Sequence, residues 1–225
     1  MIVEPWDELA RARTAAGEEL LLRHRGGIFE IRCNGYDLMS NRAHRSEEAL
    51  AQLALAETSA PAPRILIGGL GMGFTLRAAL DAAPPQARVT VAELLAEIIA
   101  WNRGPLAPLA GRPLDDARVA LREADVAVVM EEAEGAYDAI LLDIDNGPEA
   151  VLCDINAALF SARGLRKMRR ALAPSGVLAV WSADPSPRFE ERLEETRFSF
   201  RATEIAARGG AGDPRHMLYL ARALG

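Results

Sequence analysis

Residues 64–76 read RILIGGLGMGFTL. The apolar residues 65–67 predict a buried strand, and a helix is predicted from Phe74 onward. Closely spaced glycines let the backbone approach a ligand, and the helix that follows offers unpaired N–H groups to it. The run therefore predicts a nucleotide site without choosing the nucleotide. Its four glycines are Gly68, Gly69, Gly71 and Gly73.

Strands and helices are predicted to alternate after this turn, which indicates a parallel, doubly wound α/β sheet with right-handed crossovers. The predicted strands cover 64–67, 88–93, 118–122, 137–143 and 176–182. The predicted helices cover 73–82, 94–102, 125–133, 157–173 and 187–195. The chain then departs from this alternation, because 198–207 and 216–223 read as two strands joined by a turn into an antiparallel hairpin.

A different pattern precedes the glycine turn. Residues 5–20 read as a short helix or arm, and a small ribbon of about three antiparallel strands follows. Asn34-Gly35 is a strong hairpin signal, since a type I′ turn needs positive φ at both central positions. A helix over 46–57, with Ser46 as its N-cap, leads into a proline-rich break. We therefore expect an N-terminal unit over 1–60 and a nucleotide-binding domain over 61–225.

Bulk composition excludes several classes of protein. The net charge of −6 over 225 residues argues against a nucleic-acid partner, because binding phosphates needs a basic face. No apolar run approaches the roughly 20 residues that a membrane-spanning helix needs. The two cysteines lie far apart and indicate a reducing, cytoplasmic setting. The three histidines are scattered, so no metal site is expected.

Acidic residues follow the predicted strands where a parallel sheet binds its ligands. Glu93 lies 20 residues after Gly73 (93 − 73), and its carboxylate can accept both hydroxyl protons of a ribose. Asp125, after Ala124, can accept a hydrogen bond from an adenine amino group or cap the next helix. The fourth strand runs into two further acids, and burying a charge there without a partner is costly. These acids are Asp143 and Asp145.

The terminal hairpin makes the element order from about residue 61 to the end resemble the class I AdoMet-dependent transferase fold. The chain as a whole resembles the polyamine aminopropyltransferases, the spermidine synthase family, which is a branch of that fold. The resemblance implies that the N-terminal ribbon covers the site and helps to form a homodimer. It also implies that Glu93 binds ribose, that Asp125 binds adenine, and that Asp143 deprotonates the attacking amine.

The chain departs from the family pattern in three places. The family's glycine loop carries an acid for the amino group of the aminopropyl chain, and this chain has Gly71 there. Two acids three apart follow the family's fourth strand, whereas Asp143 and Asp145 are two apart. The residues that align with the family's diamine-binding tyrosine motif are Ser46, Glu47 and Glu48.

These departures favour a methyltransferase as the first hypothesis, with AdoMet as the cofactor, no metal, and Asp143 or Asp145 as a base for a small acceptor. Losing the loop acid removes a like charge that would face the AdoMet carboxylate. The second hypothesis is an aminopropyltransferase that uses decarboxylated AdoMet. A non-catalytic nucleoside-binding or interaction module is the third. A dinucleotide oxidoreductase ranks last, because Phe74 stands where its fingerprint needs a small residue. The candidate acceptor contacts are His44, Glu47 and Glu48.

Overall fold

The computed structural model describes residues 4–14, 17–144, 146–149, 158–208, 210 and 212–224. These residues form eleven strands and six α-helices. The strands are Asp7–Arg13 (β1), Glu19–Arg25 (β2), Ile28–Cys33 (β3), Tyr36–Ser40 (β4), Arg64–Gly68 (β5), Arg88–Glu93 (β6), Val119–Glu123 (β7), Tyr137–Leu142 (β8), Leu172–Ser182 (β9), Phe198–Ala206 (β10) and Arg215–Ala223 (β11). The helices are Arg45–Ala56 (α1), Phe74–Ala82 (α2), Ala96–Arg103 (α3), Val126–Glu131 (α4), Ala162–Ala171 (α5) and Pro187–Glu195 (α6).

The larger sheet has seven strands in the order β10-β11-β9-β8-β5-β6-β7. Strands β5 to β9 are parallel to one another, while β11 enters antiparallel between β9 and β10. This arrangement confirms the predicted class I AdoMet-transferase fold, including its antiparallel last strand. The order reverses at β5, where the chain crosses from one half of the sheet to the other. Ligands bind at such a switch point in open α/β sheets.

Both faces of this sheet are buried, as expected for parallel strands covered by helices. The central strand β5 shows it, because alternate side chains enter separate clusters. Ile65 and Ile67 join the apolar cluster that also contains the N-terminal ribbon and α1, whereas Leu66 joins the cluster beneath α4, α5 and α6. All three side chains are fully buried. The strand is thereby fixed, and the glycine turn at its end has a rigid base.

The N-terminal region differs from the prediction of a helix or arm followed by about three strands. It is a four-stranded antiparallel sheet in the order β1-β2-β3-β4. Residues 7–13 form a strand because they pair with β2 and partly bury Ala10 and Ala12 with a period of two rather than 3.6. The Asn34-Gly35 turn is as predicted, with φ of 50° and 83°. The proposed domain boundary at residue 60 stays a prediction.

Helix α1 connects the small sheet to the large one. Its residues Leu50, Ala51 and Ala54 are fully buried, and it packs against α2 and against β8 to β11. The prediction that Ser46 caps this helix is wrong, because the N-cap is His44 and makes no capping hydrogen bond through its side chain. Ser46 instead lies inside the helix, where it is fully buried.

Among the described helices, none combines the length and the apolar character that crossing a membrane would demand.

Candidate functional site

Three neighbouring strands end beside the glycine turn. Strand β5 pairs with β6 on one side and with β8 on the other, so Gly68, Glu93 and Asp143 lie at one edge of the sheet. The Asp143 N–H donates to Gly68 O over 3.0 Å, and the Gly69 N–H donates to Ala92 O over 2.9 Å. The structure therefore brings the predicted acids and glycines together.

The glycine turn needs glycine for two different reasons. Gly69 has φ of +88°, and a Cβ there would lie well inside 3.0 Å of Asp143 O. Gly73 has φ of +86° and is the N-cap of α2. At Gly71, with φ of +53°, a Cβ would meet the Met39 Cε at 2.7 Å. The ribbon residue Met39 thus covers the turn at the position where the family carries an acid.

Glu93 is a buried carboxylate that holds the turn in place. Its Oε2 accepts from the Leu70 N–H at 2.9 Å, and its Oε1 accepts from the Leu95 N–H at 2.8 Å. Only 8% of the residue is exposed. Two backbone N–H groups thus fix both carboxylate oxygens at this edge of the sheet.

Asp125 is the N-cap of α4, the alternative that the sequence left open. Its Oδ1 accepts from the Ala127 N–H at 2.8 Å. The preceding Ala124 donates its N–H to Glu93 O at 3.0 Å, which ties the end of β7 to the end of β6. Capping uses one carboxylate oxygen, so the same side chain can also accept from a ligand amino group.

Asp143 lies at the carboxyl end of β8 and is oriented by a residue of α2. Thr75 Oγ1 donates to Asp143 Oδ2 over 2.5 Å, and Thr75 itself is buried. Burial raises the pKa of Asp143, while the Thr75 hydrogen bond acts in the opposite direction. Asp145, the other predicted base, lies outside the described residues.

A narrow cleft with a cavity volume of about 10 Å³ lies between the ribbon and the glycine turn. Two carboxyl groups, Glu47 from α1 and Asp143 from β8, line it among mostly apolar or small neighbours. Burial, followed by the charge of Asp143, raises the pKa of Glu47 to about 7. In this poorly solvated space a nearby cation would stabilise the ionised form of both carboxyl groups. The residues that line the cleft are Met39, Ser40, Glu47, Leu70, Gly71, Met72, Phe74 and Asp143.

The other two predicted acceptor contacts, His44 and Glu48, do not line the cleft among the described residues. The ring of His44 stacks on Phe74 with centroids 4.0 Å apart, and its Nδ1 lies 2.9 Å from Glu48 Oε1. Phe74, by contrast, lines the cleft. In this geometry His44 and Glu48 position Phe74.

Three polar residues in the site were missed by the sequence reasoning. Asn102 of α3 is buried and donates through Nδ2 to Gly71 O at 2.7 Å and to Ile98 O at 2.9 Å. Asn102 thus holds the carbonyl of Gly71, while Glu93 holds the N–H of Leu70. Thr75 orients Asp143, and His216 of β11 joins Ser46 at 2.8 Å. Of the three, only Thr75 lies next to a recognised motif, because it follows the last loop glycine by two residues.

The raised pKa of Glu47 predicts how stability changes with pH. The native protein keeps this proton up to about pH 7, whereas the unfolded chain loses it near the ordinary value of 4.5. The free energy of unfolding therefore falls as pH rises through this window, by up to about 3 kcal/mol at 1.36 kcal/mol per pKa unit. Glu47→Gln is expected to equal the wild type near pH 4 and to exceed its stability at pH 8, as measured by urea unfolding.

Glu48→Gln is the matched control for this prediction, because it removes a neighbouring carboxylate that does not line the cleft. Glu48→Gln is expected to retain most of the pH dependence of the wild type, because the charge of Glu48 is the smallest of the causes that raise the pKa of Glu47. Equal pH dependence in Glu47→Gln and the wild type would contradict the assignment of the buried proton to Glu47.

Within the described residues, no cluster of three or more His, Cys, Asp or Glu side chains is placed to hold a metal ion.

Sequence comparisons connect the chain to one group of enzymes. It is 34% identical over 144 residues to polyamine aminopropyltransferase 1 of Streptomyces coelicolor, covering 63% of this chain and 26% of that protein. It is 33% identical over 148 residues to a polyamine aminopropyltransferase of Moorella thermoacetica, covering 65% of this chain and 48% of that protein. The chain thus spans about half or less of the length of these relatives. No family model matches it.

Comparison with solved structures gives the fold. A spermidine synthase from Thermotoga maritima superposes with a TM-score of 0.77 at 17% identity, over 95% of this chain and 72% of the other. A spermidine synthase in complex with the transition-state analogue AdoDATO gives a TM-score of 0.76, also at 17% identity, over 95% and 71% of the two chains. The predicted resemblance to the spermidine synthase family is confirmed.

The first hypothesis, a methyltransferase, is contradicted by these relatives, which are named as polyamine aminopropyltransferases. That hypothesis was based on the missing loop acid at Gly71 and did not consider carboxylates from other parts of the chain. Glu47 brings a carboxylate into the same cleft from α1. Glu47 and Gly71 line one cleft because α1 packs on α2.

Proposed function

We propose, from the premise that this chain is spermidine synthase-like in sequence and fold, that it transfers an aminopropyl group from decarboxylated AdoMet to an amine. The observation that carries the proposal is the pair of carboxyl groups, Glu47 and Asp143, in one cleft above the glycine turn. An aminopropyl group and an amine acceptor both bring positive charge to this cleft. Two facing carboxylates stabilise such cations.

The same charge discriminates between the two forms of the donor. Decarboxylated AdoMet has only an ammonium group at the end of its chain, whereas AdoMet also carries a carboxylate. In a cleft of low dielectric, a ligand carboxylate next to Glu47 and Asp143 is repelled. We propose that Glu47 compensates for the acid missing at Gly71, and that the Met39 side chain over Gly71 supplies an apolar contact for the propyl chain.

The nucleoside is proposed to bind along the ends of β5, β6 and β7. Glu93 would accept from the ribose hydroxyls, and Asp125 would accept from the adenine amino group beside Ala124. The loop glycines would allow the backbone to approach the donor. These proposed contacts extend to Gly68, Gly69, Gly71 and Gly73.

Asp143 is proposed as the general base. The acceptor reacts through a neutral amine nitrogen, so its ammonium form must first lose a proton. Burial raises the pKa of Asp143 toward the working pH, which makes the carboxylate a better base than a solvated aspartate. Thr75 holds the carboxylate in one orientation.

Turnover tests this proposal directly. Decarboxylated AdoMet and putrescine, the probe diamine, are incubated with the protein, and the products are identified by mass spectrometry. The expected products are the aminopropylated diamine and methylthioadenosine in equal amounts. Methylthioadenosine formed only when the diamine is present would support transfer. Methylation of the diamine by AdoMet, or no reaction with a panel of short diamines, would contradict it.

We also infer a homodimer formed through β1 to β4 and a cytoplasmic location, both from the resemblance and the composition alone. Light scattering at micromolar concentration tests the dimer. A mass of twice 24.3 kDa is expected, and a mass of 24.3 kDa would contradict it.

A further inference from the structure

A buried serine joins the cleft to the C-terminal hairpin. Ser46 Oγ lies 2.6 Å from Glu47 Oε2, 2.8 Å from His216 Nδ1 and 3.0 Å from Trp181 Nε1. Ser46 and Trp181 are buried, and His216 is half-buried with its ring 4.7 Å from that of Trp181. One hydroxyl therefore bonds three polar groups from α1, β9 and β11.

The hydrogen-bonding capacity of these groups limits the network to two states. The Trp181 N–H can only donate, so it takes one lone pair of Ser46 Oγ. Ser46 then has one proton to donate and one lone pair with which to accept. In the first state it donates to Glu47 and accepts from His216 Nδ1–H. In the second it accepts from a protonated Glu47 and donates to His216 Nδ1.

The second state becomes the first when one proton moves from Glu47 to His216. As Glu47 passes its proton to Ser46 Oγ, Ser46 passes its own proton to His216 Nδ1. The serine is unchanged at the end, while Glu47 becomes a carboxylate and His216 gains a proton. A serine hydroxyl between a carboxyl group and an imidazole has the geometry of a proton relay.

We propose that Glu47, Ser46 and His216 form a relay that carries the proton released in the cleft out to the C-terminal hairpin. This inference rests on the proposed aminopropyl transfer for the source of the proton. In that reaction the amine nitrogen forms a C–N bond as the C–S bond of the sulfonium breaks, and the electron pair of that bond stays on sulfur as a thioether. The proton lost from nitrogen passes to the carboxyl pair, through Ser46 to His216, and from His216 to water.

These surroundings make Glu47 the resting site of the proton and His216 a transient carrier. Glu47 faces Asp143 from β8 and Glu48 from its own helix, and both raise its pKa. His216 faces Asp184, which follows β9; burial lowers the pKa of His216, and Asp184 acts in the opposite direction. His216 therefore does not retain the proton at neutral pH, which leaves the relay ready for the next turnover. Ser46 and His216 are positioning residues here, since neither lines the described cleft.

The relay is tested first without any substrate. The protein has three histidines, so an imidazole nitrogen NMR titration between pH 5 and 9 follows each ring separately. His216 is expected to report the titration of Glu47 as a second inflection. Both Glu47→Gln and Ser46→Ala should remove that inflection, while His24 and His44 keep their own titration curves. An unchanged His216 curve in Glu47→Gln would overturn the relay, even if Ser46→Ala does not fold.

Turnover then separates a relay from a purely structural role. Ser46→Ala is expected to lower kcat at least tenfold, with KM for the donor within twofold, and to change the pH profile of kcat. Trp181→Phe removes a donor to the same oxygen but neither relay hydrogen bond, so kcat should fall less than threefold with an unchanged pH profile. Equal losses with unchanged profiles in both variants would overturn the proposal. Coupled histidine titration without turnover would instead contradict the proposed function and leave the proton pathway intact.

Discussion

Asp143→Asn is expected to lower kcat for aminopropyl transfer by about 10² to 10⁴, the range that a general base contributes. The amide has the shape of the carboxylate, and its oxygen can still accept the hydrogen bond from Thr75 Oγ1. The variant therefore keeps the geometry of the cleft and loses only the basic group. The KM of the donor should also rise, because Asp143 is proposed to help hold the donor's ammonium group, but the loss in kcat should be the larger effect.

Steady-state kinetics with decarboxylated AdoMet and putrescine measures this effect. Asp81→Asn is the matched control, because Asp81 lies on α2 with Thr75 but is exposed and pairs with Arg77 at the surface. It is expected to have the kcat of the wild type. A kcat for Asp143→Asn within threefold of the wild type would show that another group accepts the proton.

Gly69→Ala is expected to destabilise the protein by about 3 kcal/mol or more, a large effect for a single methyl group. The left-handed backbone at φ of +88° alone costs an L-residue roughly 1–2 kcal/mol. The new Cβ would also overlap Asp143 O, a backbone atom held by strand β8 that cannot move aside as a flexible side chain can. The glycine turn and the end of β8 must therefore separate.

Gly111→Ala separates the two causes of this loss. Gly111 also has positive φ, +66°, but a Cβ there would meet no atom within 4 Å. Gly111→Ala should lower the free energy of unfolding by only about 1–2 kcal/mol. Urea unfolding of both variants measures the difference. Equal losses at the two positions would mean that the contact between the glycine turn and β8 is not a rigid one.

The central sheet was predictable because its signals are local. Strand β6 at Arg88–Glu93 and helix α6 at Pro187–Glu195 have the bounds that the apolar pattern predicts. The Asn34-Gly35 turn was equally clear, since few residues tolerate positive φ. The ends of parallel strands gather at one edge, which is why Glu93, Asp125 and Asp143 could be placed there from sequence order alone.

The acceptor side could not be predicted in the same way, because it is built from residues far apart in the chain. Glu47 enters the cleft, whereas its neighbour Glu48 turns toward His44, and one residue of helical rotation decides between them. Ser46 was expected to cap α1 because serine favours that position. It bonds Trp181 and His216 instead, and those partners are 135 and 170 residues away.

The strand β1 was missed for a related reason. Trp6, Leu9 and Ala12 have helical spacing, but tertiary pairing with β2 overrides a weak local preference. Trp6 itself lies against two arginines of β2, with guanidinium carbons 4.1 and 4.3 Å from its ring centre. Because that contact forms only when β2 pairs with β1, the residues next to Trp6 in the sequence do not predict it.

The proposed function depends on the charge of the cleft. Calorimetric titration with decarboxylated AdoMet and with AdoMet measures how that charge affects binding. The pair Glu47 and Asp143 predicts that the decarboxylated donor binds at least tenfold more tightly, a difference of about 1.4 kcal/mol or more. Glu47→Gln should narrow that ratio, and Glu48→Gln should preserve it. Equal or tighter binding of AdoMet by the wild type, or no binding of either compound, would contradict the account.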